Sequence, residues 1–429
     1  MEEWRKYKLG DIVSIKGGKR LPKGVNLIST PNNHPYIRVR DLGNSKYIEL
    51  NHGYEYVDEK TQKLISRYIV NAGDILISIV GTIGLVGKVG ESLSYANLTE
   101  NCVKLVDLNC IDGDFLYYYL KSTVGQYEIA KGTVGAVQAK LPIKNIQNIS
   151  ILLPPLDVQR RISETLSSLD DKIALNTRIN NNLEQQAQAL YKSWFVDFEP
   201  FKGGKFIDSE LGEIPEGWRV GTISDVIIST LSGDWGKEFE MGSYTQKVFC
   251  IRGADIPDIK MGNNGKMPSR YILPKNFDNK ALTNNDIVVE ISGGSPTQST
   301  GRVCRITDEL LDKHNNTLIC TNFCRAIKPQ KDYSQYIYYC WANIYENGIM
   351  FSYENGTTGI KNLDISGFIE KEPILIPSQD TVSEFSLNID AFNRHIIRNS
   401  LENEKLSAIR DSLLPKLMSG ELKIGDLNS

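Results

Sequence analysis

The sequence has no run of eighteen apolar residues, and its first ten, MEEWRKYKLG, are polar where a secretory leader is apolar. Neither a transmembrane helix nor a signal peptide is expected, and the expected location is the cytoplasm. Seven cysteines, an odd number, fit reduced thiols there. Cys320 and Cys324 lack a second pair, and His34, His52, His314 and His395 show no ligand spacing, so no metal site is expected. "GTIGLVGKVG" from Gly81 lacks the GxG opening of a dinucleotide fingerprint. It also lacks a P-loop ending, since Val89 follows Lys88. The NPP[FY] tetrapeptide of amino-methylating enzymes is missing as well. No catalytic residue is assigned.

An excess of either charge is lacking overall: 49 lysines and arginines stand against 52 acids, a net charge of −3 on 429 residues. That length exceeds what one core usually serves, so two or three domains are expected. The distribution is uneven. The first fifty residues hold ten cations against five acids, an excess that can face phosphates or simply form a solvated surface.

What is present is a repeat. "EWRKYKLGDIV" from Glu3 aligns with "GWRVGTISDVI" from Gly217, and "YIRVRDL" from Tyr36 with "CIRGADI" from Cys250, both 214 apart. "GDILISIVG" from Gly73 parallels "NDIVVEISG" from Asn285, "DFLYYYL" from Asp114 parallels "QYIYYCW" from Gln335, and "GTVGAVQAKL" from Gly132 parallels "GTTGIKNLDI" from Gly356. Two related α+β modules are expected, over 1–153 and 212–376. Short β-branched runs, one Tyr-rich helical segment and many Gly/Asn turns make up each. Trp4 and Trp218 are expected in the two cores.

Each module is followed by a long helical pattern, expected over 154–200 and 377–420, with a linker at 201–211 and a tail at 421–429. Asp157 is the expected cap of the first helix. Its apolar seam runs Ile162, Leu166, Leu169, Ile173, Asn176, Asn180, Leu183, Ala187, Leu190, Trp194. The second, 223 positions on, runs Phe385, Ile389, Phe392, Ile396, Asn399, Asn403, Leu406, Arg410, Leu413, Leu417. Alternating steps of four and three are the heptad signature. At 1.5 Å per residue each helix spans about 60 Å. Antiparallel packing brings Asn176 and Asn180 opposite Asn399 and Asn403, so the buried amides can bond each other and fix register. In-register parallel packing satisfies the amides too. The pseudo-twofold repeat favours the antiparallel arrangement, with the modules at opposite ends.

These features resemble the specificity subunits of type I restriction-modification systems. The matching stretches are "LPPLDVQRRISETLSSLDDKI", "YKSWFVDFEPF", "LGEIPEGWRVGTISDV" and "LLPKLMSGEL". The resemblance implies two target-recognition domains separated by an antiparallel coiled coil, each reading one half of a bipartite, asymmetric site in double-stranded DNA. It implies that the helix pair sets the spacer and docks two modification (methyltransferase) subunits, alongside restriction (translocase-nuclease) subunits. The chain itself would be non-catalytic and carry no cofactor, with S-adenosylmethionine, ATP and magnesium on its partners. A non-DNA scaffold and a two-domain enzyme are the alternatives.

Candidate DNA contacts follow from residue type. In the first module they are Lys16, Lys19, Arg20, Arg38, Gln138 and Lys140; in the second, Lys237, Arg252, Lys361 and Asn362. Arginine and lysine reach guanine or phosphate, and amides on glycine-rich loops suit base edges. Arg38 and Arg252 serve equally as structural ion pairs with Asp41 and Asp255. Trp194 and Phe195 are candidate docking anchors for a partner, or else seal the helix end against the first module.

Overall fold

The computed structural model describes residues 4–43, 45–51, 53–135, 137–295, 298–356 and 360–423. His52, Ala136 and residues 357–359, the latter two within the Gly-Thr loops, and most of the expected tail lie outside the described residues. The chain forms two compact units, Met1–Ala174 with Glu404–Ser429, and Leu175–Asn403. Each unit combines a module with part of both long helices.

In the first unit, Arg5–Lys8 pairs antiparallel with Ser150–Leu153 and so ties the start of the module to its end. Between them lies a five-stranded sheet in the order Ser14–Gly17, Cys102–Val106, Ile75–Ser78, Val86–Val89, Tyr47–Ile48. The run "ILI" is apolar throughout because the sheet is covered on both faces. Ile75 and Ile77 face the Tyr-rich helix Gly113–Lys121, while Leu76 packs with Ile37 and Leu98. Asp112 caps that helix, accepting the Phe115 N–H at 2.9 Å. Trp4 packs half-buried against the same core.

The second unit repeats the plan. Its four-stranded antiparallel sheet runs Ile227–Ser232, Cys324–Pro329, Ile287–Glu290, Val303–Arg305. Ile287 and Val289 face the Tyr-rich helix Tyr333–Glu346, and Val288 faces the opposite core. Trp218 is buried beside Phe195, Phe198 and Phe201. The expected 201–211 linker is partly structured. Phe206–Ser209 forms a hairpin with Gly212–Pro215, Ser209 opposite Gly212, so the expected boundary at 211 falls inside a turn. Phe206 and Ile214 make those strands worth burying; Ile214 is in the core and Phe206 packs on Phe198.

The two long helices are Leu156–Phe195, with 40 residues, and Gln379–Ser419, with 41. They run antiparallel in each unit. In the first, Asp170 meets Arg410 while Ile162 and Leu166 share a core with Leu417 and Met418. In the second, Asn176 meets Asn403 while Phe195 meets Phe385. Asp157 lies in the first turn of its helix rather than at the cap, which falls on Pro155; there it favours the helix dipole without capping it. In the second helix the Ser378 hydroxyl accepts the Thr381 N–H. Each module also reaches its helices through a lysine. Lys46 bonds Ser167 and Asp114 in one, and Lys260, 214 residues later, pairs with Glu184 in the other.

Candidate nucleic-acid interface

One end of each central sheet carries the loops that the sequence singles out. In the first module the strand Ser14–Gly17 leaves the sheet through Gly18. A Cβ there would stand 2.0 Å from the Thr99 carbonyl oxygen, so only glycine permits the approach. The Lys19 N–H then donates to Leu98 O at 2.8 Å. In the second module Gly233 follows Ile227–Ser232, its Cβ position is 2.0 Å from Thr321 O, and the Asp234 N–H donates to Cys320 O at 2.9 Å. Lys19 and Asp234 therefore occupy one station, and Arg20 and Trp235 the next.

The Gly-Thr loops join the same ends. Leu141 N–H donates to Ile79 O, and Leu363 N–H to Ile291 O, each at 2.9 Å. These bonds make Lys140 the counterpart of Asn362. The loops thus correspond at an offset of 222 where they rejoin the module, two less than "GTVG" and "GTTG" suggest. A second glycine shapes the first loop: Gly135, at φ +101°, lets Val134 and Lys140 exchange both backbone hydrogen bonds at 2.9 Å.

Lys19, Arg20, Gln138 and Lys140 are all exposed at this end of the first module. Arg20 Nε donates to Glu100 Oε1 at 2.7 Å, and Lys19 Nζ lies 5.6 Å from the centre of the Tyr68 ring. The Tyr36 hydroxyl anchors the loop by donating to Lys19 O at 2.8 Å. Lys16 does not join them. It lies within the strand opposite Lys104 and reaches back to Asp107 at 3.1 Å. Arg38 is turned to Glu55, and Arg38 N–H donates to the Asp41 carboxylate at 2.7 Å.

In the second module Lys237 and Asn362 are exposed at the sheet end, Asn362 accepting from the Ser292 hydroxyl. Two candidates are already engaged. Arg252 forks onto Asp255 at 2.9 and 3.0 Å and donates to Lys266 O at 2.6 Å. Lys361 pairs with Glu354 at 2.7 Å, over the Phe351 ring. Both are held by acids within seven positions in sequence, so their charge is spent inside the module. Sequence reasoning missed Glu100 and Tyr36, which set the first loop, and Trp235 and Arg270, which meet across the second.

Along the helices, Asn180 Oδ1 accepts from Asn399 Nδ2 at 2.9 Å, and its own amide donates to Ile396 O and Ser400 Oγ at 3.1 Å. Asn176 donates to Asn403 Oδ1 at 2.9 Å and to Glu402 at 2.8 Å. Asn176 and Asn180 are buried. In the first unit the seam position Arg410 is taken by Asp170 at 2.6 Å, and the Tyr118 hydroxyl donates to the same carboxylate at 2.7 Å. Burial, aided by that carboxylate, pushes the Tyr118 phenol well above its ordinary pKa and keeps it a donor. Phe195 is not a docking anchor, since it is buried against Trp218, Tyr336 and Phe385 in the second unit. Trp194 packs there too, against Phe201 and Phe385. Antiparallel pairing carries this helix end to the second module rather than the first.

Residues 1–185 match the family model described as the type I restriction modification DNA specificity domain. The type I restriction enzyme MjaIX specificity subunit of Methanocaldococcus jannaschii is 27% identical, over 99% of this chain and 95% of that protein. The HindI specificity subunit of Haemophilus influenzae is 24% identical, over 98% of this chain and all of that one. Among solved structures, the type I restriction-modification S subunit from M. genitalium has a like fold. Its TM-score is 0.50 at 15% identity, covering 97% of this chain and 96% of that one.

Proposed function

We propose that the chain is a specificity subunit of a type I restriction-modification system and that its two modules each read one half of a bipartite, asymmetric DNA site. The observation that carries this reading is the shared station after Gly18 and Gly233. The same backbone there presents Lys19 and Arg20 in one module and Asp234 and Trp235 in the other. Like scaffolds with unlike side chains suit two different half-sites. Lys19, Arg20, Gln138, Lys140, Lys237 and Asn362 are the side chains left exposed to meet bases or phosphates.

The helix pair sets the length of the unread gap, and the amide pairs hold its register. Modification subunits dock on the outer faces of the helices. Leu175, Ile179 and Leu387 are exposed there in the second unit, and Ile409 in the first. The chemistry is the partners': methyl transfer from S-adenosylmethionine on the modification subunits, and ATP- and magnesium-dependent translocation and cleavage on the restriction subunits. The complex works on cytoplasmic DNA. Mapping methylated motifs in cells with and without this gene tests the reading. A split motif that vanishes with the gene is expected; an unchanged set of motifs contradicts it.

A further inference from the structure

We propose that Arg270 is a specificity-determining residue of the second module, reading a guanine through a guanidinium that packs over Trp235. The inference rests on the proposed DNA-reading role. It deepens that role by naming a residue outside the glycine-rich loops.

Arg270 lies in the strand Ser269–Ile272, opposite Val248. Its guanidinium carbon stands over the Trp235 ring, 4.1 Å from the ring centre, a cation–π contact. Trp235 follows Gly233 and Asp234 at the sheet end, so the contact sits at the end of the module that carries the loops. The loop is fastened to this strand: Lys237 N–H donates to Tyr271 O at 2.8 Å, and Tyr271 N–H to Lys237 O at 2.9 Å. Gly236, at φ +60°, permits it, since a Cβ would lie 2.3 Å from Tyr271 O.

The charge of Arg270 is not spent. Among the described residues no ion pair includes it, and its Nε is buried without a hydrogen-bond partner. The nearby acid is committed elsewhere. Asp234 accepts from Asn276 at 2.7 Å, pairs with Lys280 at 3.3 Å, and accepts from the backbone of Trp235 and Gly236. Arg252, Arg302 and Lys361 in the same module are each closed by a carboxylate. A partly buried, oriented and uncompensated guanidinium is costly unless something supplies acceptors. Guanine O6 and N7 form the acceptor pair that fits its planar fork. The first module differs at the equivalent station: Arg20 is exposed there and paired with Glu100.

The test uses the full chain assembled with its modification subunits, with methylated motifs mapped for wild type, Arg270→Lys, Arg270→Ala and Trp235→Ala. Both Arg270 variants should lose preference for guanine at one position of one half-site, by roughly ten- to hundredfold. The other half-site and the gap stay unchanged. Trp235→Ala should weaken the same position less. An unchanged motif, whether at normal or uniformly reduced rate, overturns the proposal, the latter marking a phosphate contact. Failure of the Arg270→Lys complex to assemble overturns it too, by marking the arginine as structural. If the wild-type complex writes no split motif, the proposed DNA-reading role falls first.

Discussion

Asn180 spends its whole amide on the opposite helix, bonding Asn399, Ile396 and Ser400. Truncating it leaves the Asn399 amide buried without its acceptor. Asn180→Ala should therefore cost about 1–3 kcal/mol in urea unfolding. Replacing Asn180 and Asn399 together by leucine should cost much less, and the pair serves as a register experiment: stability is kept while the device that opposes a heptad slip is lost. Gly18→Ala should destabilise the first module by about 1–3 kcal/mol, because its Cβ meets a backbone carbonyl that cannot swing aside. Individual residues were unevenly legible. The asparagines were readable because they interrupt a periodic seam. The fates of Lys16 and Arg38 were not, because Asp107 and Glu55 lie far along the chain and only folding brings them near. Arg270 was invisible for the same reason: its indole partner is on another element.

The helices were the most readable elements, since a heptad pattern sustained over some forty residues buries one stripe only on a long helix that has a partner. Their boundaries were less so. The first stops at Phe195, five residues short of the expected end, where aromatic packing around Trp218 takes over from the seam. The sheets were visible as β-branched runs, but not the parallel or antiparallel pairing within them. The Gly-Thr loops looked alike over their first residues, yet their stations are set by hydrogen bonds further on, at Leu141 and Leu363. A prediction belongs to the helix pair. Inserting four residues within 170–185, with four matching residues in the opposite helix, lengthens each by about 6 Å at 1.5 Å per residue. The unread gap should then grow by roughly two base pairs at 3.4 Å each. Motif mapping reads the change directly, and an unaltered gap would show that the helices do not set it.

For the whole molecule, the internal repeat matters more than any single contact. Each module is tied to the helices through its own lysine and tyrosine, and the proposed function requires that the two diverge in their loops without disturbing each other. That independence is the central claim. The measurement that tests it most directly is motif mapping after residues 1–150 are replaced by the corresponding module of a relative. The account predicts that one half-site changes while the other half-site and the gap persist; a change in both half-sites would contradict it.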